Sequence, residues 1–134
     1  MSPQEIFDTV AAHLFTQGRQ AVSRDGTCQY RTEDGLKCAV GCLIRDEDYN
    51  PEIEDLPAFN TRVLDRLPFK VDVEVEVEVD GPEFSVCSLL QSLQRVHDHE
   101  PDWASTHAMR TALAYVAERY HLKFIPENYQ FSDR

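Results

Sequence analysis

The spacing of apolar residues changes character along this chain, and each change marks a different element. Ile6, Phe7, Val10, Ala11, Leu14 and Phe15 recur at helical intervals, the mark of one buried stripe on a helix. Ser2 stands where an N-cap belongs, Pro3 takes the first helical position, Glu5 completes a capping box, and Gly18 suits the exit. Residues 27–38 read instead as a β-hairpin turning on Asp34-Gly35, because glycine accepts the positive φ of a tight turn. The apolar run at 38–44 fits a buried strand or a short, closely packed helix equally well. An acidic loop at 46–55 follows, with a turn at Asn50-Pro51.

Between Pro57 and Pro68, the residues Phe59, Val63, Leu64 and Leu67 predict a modest helix. Valine and acid then alternate without a break from Val71 to Asp80. A strand sends successive side chains to opposite faces, so this stretch has an all-valine face and an all-carboxylate face. Asp80-Gly81-Pro82 ends it, since proline cannot donate to a ladder. Ser85 caps a further helix with Val86, Leu89, Leu90, Leu93, Val96 and His97 along one face, broken by Glu100-Pro101-Asp102. A last amphipathic helix runs from about Trp103 to Tyr120, with Met109, Leu113, Val116, Ala117 and Tyr120 inward. The aromatic tail from Phe124 reads as a strap. The expected fold is α+β: one domain over residues 1–134, in which a small antiparallel sheet, built from the hairpin and the valine–acid strand, packs against the first helix and the two C-terminal helices.

Charge narrows the partners. The chain has 24 Asp and Glu against 13 Lys and Arg, a net charge of −11. Such a balance repels nucleic acid and anionic membranes and favours basic partners. No basic region precedes an apolar run at the start, so no signal peptide is read there. No stretch approaches the roughly 20 apolar residues of a bilayer span. A cytoplasmic setting is therefore expected, with the four cysteines reduced.

Three constellations are candidates for function. Asp72, Glu74, Glu76, Glu78 and Asp80 form an acid ladder. The plain reading is a solvated sheet face whose charges discourage edge-to-edge aggregation. Yet five like charges on one face repel one another. Carboxylates at i and i+2 stand roughly 6.7 Å apart, so the ladder approximates every second phosphate of a nucleic-acid strand, at about 3.4 Å each. That spacing is too wide for neighbouring carboxylates to share one ion. Second, Cys28, Cys38 and Cys42 would hold zinc if the hairpin brought them together with a histidine, although no C-x₂-C knuckle is present. Buried cysteine is equally a plain small hydrophobe. Third, His97-Asp98-His99-Glu100, with Asp102 and His107, contains a His-Asp pair like those of metal-dependent phosphohydrolases. The further ligand pattern of such enzymes is missing, and His97 lies on the apolar stripe of its helix, where it also reads as a hydrogen-bonded core residue. A Cys38–His97 nucleophile pair has no motif behind it.

Cys28-x-Tyr30-Arg31, then the run from Asp34-Gly35-Leu36-Lys37-Cys38 through Ala39-Val40-Gly41-Cys42-Leu43-Ile44, then Asp46-Glu47, Tyr49 and Pro51-Glu52, resembles a family of small uncharacterised bacteriophage and prophage proteins. Leu90-Gln91-x-Leu93-Gln94-x-Val96-His97-Asp98 and the Trp103 helix are similar to it too. The resemblance implies an origin but no activity. With the acidity and the missing catalytic signature, it leads us to expect an accessory protein without a cofactor. Such a protein would bind a basic surface, as on a host nucleic-acid-handling or defence protein, through the acid ladder. The alternative is a small enzyme or zinc-stabilised domain built on Cys28, Cys38 and Cys42 or on His97 and Asp98.

Overall fold

The computed structural model describes residues 1–71, 86–99 and 103–131. The acid ladder from Asp72 to Asp80 lies outside them, as do Ser85 and Glu100-Pro101-Asp102. Helix α1 (Pro3–Gln17) forms as its sequence dictates. Ser2 Oγ accepts from the Glu5 amide at 3.1 Å, and Glu5 Oε1 accepts from the Ser2 amide at 3.0 Å. Two amides left over at the helix start are thereby satisfied reciprocally. Gly18 ends the helix at φ 70, donating to the Leu14 carbonyl. Every residue of the apolar stripe named above is buried.

The helix expected between Pro57 and Pro68 shrinks to a single turn, α2 (Thr61–Leu64), capped by Asn60. Val63, Leu64 and Leu67 are buried, but Phe59 lies ahead of the cap and is 52% exposed. Helix α3 (Val86–Asp98) buries Leu89, Leu90, Leu93, Val96 and His97 as predicted, and Cys87 with them. Helix α4 (Thr106–Arg119) starts from Ser105, whose Oγ accepts from the Ala108 amide at 3.0 Å. It turns Met109, Leu113, Val116 and Ala117 inward. Helix α3 packs on both α1 and α4, so the core is helix on helix.

The tail is a strap, held by rings and by hydrogen bonds. Trp103, Phe131, Phe15, Tyr129, Phe124 and Phe7 form a chain of neighbouring rings, with centroids between 5.1 and 6.2 Å apart. Such aromatic pairs add to plain burial when edge-on or offset. Gln4 on α1 exchanges two hydrogen bonds with the Lys123 backbone, at 2.8 and 2.9 Å. Arg110 on α4 donates to the Tyr129 carbonyl at 2.7 Å.

The expected antiparallel sheet is overturned: among the described residues there is no β-strand. Residues 22–37 hold two tight turns, each closed by one isolated bridge, Val22 to Cys28 and Arg31 to Lys37. Asp34-Gly35 does make the predicted turn, with Gly35 at φ 86. A ladder fails to grow from it because side chains take the backbone groups a partner strand would use. The amides of Tyr30 and Arg31 donate to the Glu54 carboxylate at 2.9 and 3.1 Å, and the Lys37 amide donates to Gln17 Oε1 at 2.8 Å. Past the turn the apolar run coils into a 3₁₀ helix at Gly41–Leu43. Gly41 sits so close to Tyr30 that a Cβ would meet its carbonyl oxygen at 2.0 Å, which explains glycine there.

Candidate functional site

The two sequence blocks that carry the resemblance meet at the last turn of α3. His97 is fully buried. The Ala21 amide donates to its Nε2 at 2.9 Å, so that nitrogen carries no proton and Nδ1 must carry it. Nδ1–H accordingly donates to Asp98 Oδ1 at 2.7 Å. The same oxygen accepts from Gln94 Nε2 at 3.1 Å, while Gln94 Oε1 accepts from the Val40 amide at 3.0 Å. From the other side, Gln20 Nε2 donates to the carbonyls of His97 and Asp98 at 2.9 and 3.1 Å, satisfying backbone acceptors left over at the helix end. Trp103 sets its ring edge-on to the imidazole, with centroids 5.6 Å apart. This turn thus ties α3 to the exit of α1 and to the cysteine-rich turn at once.

Cys28 is the thiol brought to this turn. Its Sγ, a ring nitrogen of His97 and a carboxylate oxygen of Asp98 lie within 4.8 Å of one another. Among the described residues, Cys38 and Cys42 do not join them, so the expected convergence of Cys28, Cys38 and Cys42 does not occur. Cys38 is buried and accepts from the Gly41 amide at 3.2 Å; Cys42 donates to the Ala39 carbonyl at 3.0 Å. Both bonds are local and hold the 3₁₀ turn.

The Cys28–His97–Asp98 trio has the residue types of a metal site or of a thiol–imidazole pair, and its hydrogen bonds suit neither. A neutral imidazole has one lone pair, and here the Ala21 amide occupies it. No lone pair remains to bind a metal ion or to take a proton from Cys28. A metal on Nδ1 would also require Nε2 to carry hydrogen, aimed at the hydrogen of the Ala21 amide. The thiols are tuned away from reactivity as well. Burial and the nearby Asp98 carboxylate push Cys28 up to about 11, and burial pushes Cys42 up to about 12 and Cys38 higher still. The trio acts as a clamp.

A second network, not singled out in the sequence, surrounds Glu54. Besides the two amides, its carboxylate accepts from the Tyr49 hydroxyl at 2.5 Å. Burial, then that hydrogen bond, pushes the Tyr49 phenol up. The Arg31 guanidinium lies 5.0 Å from the Tyr49 ring centre, donates to the Ile44 carbonyl and reaches Asp46 at 2.7 Å. Lys37 stands 3.6 Å from the same Asp46 oxygen. The hydrogen bond from Arg31, then the Lys37 charge, holds the Asp46 carboxyl below its usual range. Arg45 answers Asp48 at 2.7 Å and Glu47 at 3.7 Å. The acidic loop is therefore a set of local pairings that closes over Tyr30. A cluster of Arg, Tyr and acid in one loop was the available signal, and spacing alone does not say which acid turns inward.

The remaining candidates scatter. His107 is exposed on α4 and His99 lies just past α3, neither beside His97. Asp72, Glu74, Glu76, Glu78 and Asp80 lie outside the described residues, with Glu100 and Asp102. No helix among the described residues is long and apolar enough to cross a membrane. No family model, curated protein or solved structure matches the chain.

Proposed function

We propose that this is a small acidic accessory protein, of phage or prophage type, that binds a basic surface on a host nucleic-acid-handling or defence protein and so inhibits or modulates it. The observation that carries the reading is the valine–acid alternation of residues 71–80. Residues 72–85 hold six acids and no base, so over half of the net charge of −11 falls in one short stretch. The folded body supports the reading by what it commits elsewhere. In the 46–54 loop Asp46, Asp48 and Glu54 are paired within the fold, and Asp98 belongs to the clamp. The ladder imitates backbone phosphates; it binds no nucleic acid or membrane itself and needs no cofactor, and the setting is the host cytosol. A small enzyme or a zinc-stabilised domain on Cys28, Cys38, Cys42, His97 and Asp98 is the weaker reading, because the one lone pair of His97 is already used.

Capture from a bacterial lysate tests this, with a variant carrying Asp72→Asn, Glu74→Gln, Glu76→Gln and Glu78→Gln as control. The wild type should retain a basic nucleic-acid-binding protein that added salt releases, and the amide variant should not. Equal retention by both proteins at low salt would refute the reading.

A further inference from the structure

A groove of about 560 Å³ runs between α3 and α4. Val96, Val116 and the half-buried Ala112 line its base, and the exposed Arg95, Arg119, His107 and Tyr115 stand at its edges. We propose that this groove docks an acidic amphipathic helix of a partner protein, a binding role beyond the one assigned to the acid ladder.

Three observations lead there. The first is charge. In a chain with 24 acids and 13 bases, the described residues that line the groove include two arginines and a histidine and no acid. Among the described residues neither arginine makes an ion pair. At physiological salt the Debye length is about 8 Å, so a docked ligand feels the charges lining the groove more than charges well beyond that distance.

The second is the exposed aromatic. Tyr115 is 69% exposed, on a helix whose other large apolar residues are buried. Tyrosine and arginine are the residues that most often carry binding energy at interfaces. The third is shape. A trough between two packed helices accepts a third helix by the same ridge-and-groove packing that joins the first two, with anchors at i, i+3 or i+4, and i+7. An apolar base and cationic edges select a helix with one apolar face and acids on its flanks. A second copy of this chain is the poorer occupant, because two bodies at −11 repel each other.

Dye-labelled, hydrocarbon-stapled helical peptides test the proposal by fluorescence anisotropy: one with a leucine face flanked by glutamates, and its match with glutamine at every glutamate. Stapling keeps the two equally helical. The wild type should prefer the glutamate peptide by roughly tenfold at low salt. The double variant Arg95→Gln, Arg119→Gln should lose that preference. Tyr115→Ala should weaken both peptides while keeping it. Circular dichroism would confirm that the variants are folded. Equal binding of the two peptides to wild type, absence of binding, or a preference that survives the double variant would each overturn the proposal. A concentration-dependent wild-type dimer that Tyr115→Ala dissolves would assign the groove to a second copy, and so overturn it too.

Discussion

His97 uses both ring nitrogens inside the protein, one toward a loop amide and one toward its own neighbour in the chain. His97→Phe preserves the ring volume but leaves the Ala21 amide without its acceptor and takes from Asp98 its imidazole donor, leaving Gln94. A buried unsatisfied polar group costs about 1–3 kcal/mol. The variant should therefore lose about 2–3 kcal/mol in urea denaturation, while Cys28→Ala, which removes only a weak thiol donor to Asp98, should lose less than about 1 kcal/mol. A metal or thiol site would reverse the order, since loss of Cys28 would then be the severe change. His97 was readable as a buried residue because it falls on the apolar stripe of α3. Its partner was not, because a backbone amide 76 residues away leaves no trace in sequence.

A second histidine sets a pH dependence. His13 donates to the Lys37 carbonyl at 2.8 Å, and burial, only partly offset by that bond, lowers it from its ordinary value of 6.5. The unfolded chain therefore takes up this proton first as pH falls. The stability contributed is fully present above about pH 6.5 and is lost as pH drops below that value toward the folded pKa. Melting temperature should fall between pH 7 and pH 5, and His13→Gln, which retains a donor for Lys37, should flatten that slope. An identical slope in the variant would place the effect elsewhere.

At the scale of elements, helices were legible where period and caps agreed. Helix α1 shows both, from Ser2 and Glu5 to Gly18, and α3 and α4 show clear stripes. The hairpin shows what a turn signal leaves open. Asp34-Gly35 specifies a reversal of the chain, but not what its flanks will pair with, and here Glu54 and Gln17 reach the amides first. The short α2 shows the converse, where apolar spacing was right for Val63, Leu64 and Leu67 but propagated only one turn from the Asn60 cap. The end of α4 carries its own test. His121 follows the helix at φ 56, in the left-handed region, and the Leu122 amide donates back to Ala117 at 2.8 Å. Only glycine adopts that conformation without strain. His121→Gly should raise stability by roughly 0.5 kcal/mol, the relief of strain less the entropy of the freer unfolded chain. A loss of stability would mean that the imidazole makes a contact worth more than the strain.

For the whole molecule, a helical body is held by one polar clamp, one acidic loop and one aromatic strap, and the densest run of acid lies in residues 72–80, where the proposed function places binding. Alternation made that concentration visible at once, and also suggested a sheet that the described residues do not contain. The most direct test is displacement of a labelled DNA duplex from the partner that the wild type captures. Unlabelled wild type should displace the duplex, less effectively as salt is raised, and the Asp72→Asn, Glu74→Gln, Glu76→Gln, Glu78→Gln variant should fail at equal concentration. Displacement by the variant as complete as by wild type would contradict charge mimicry.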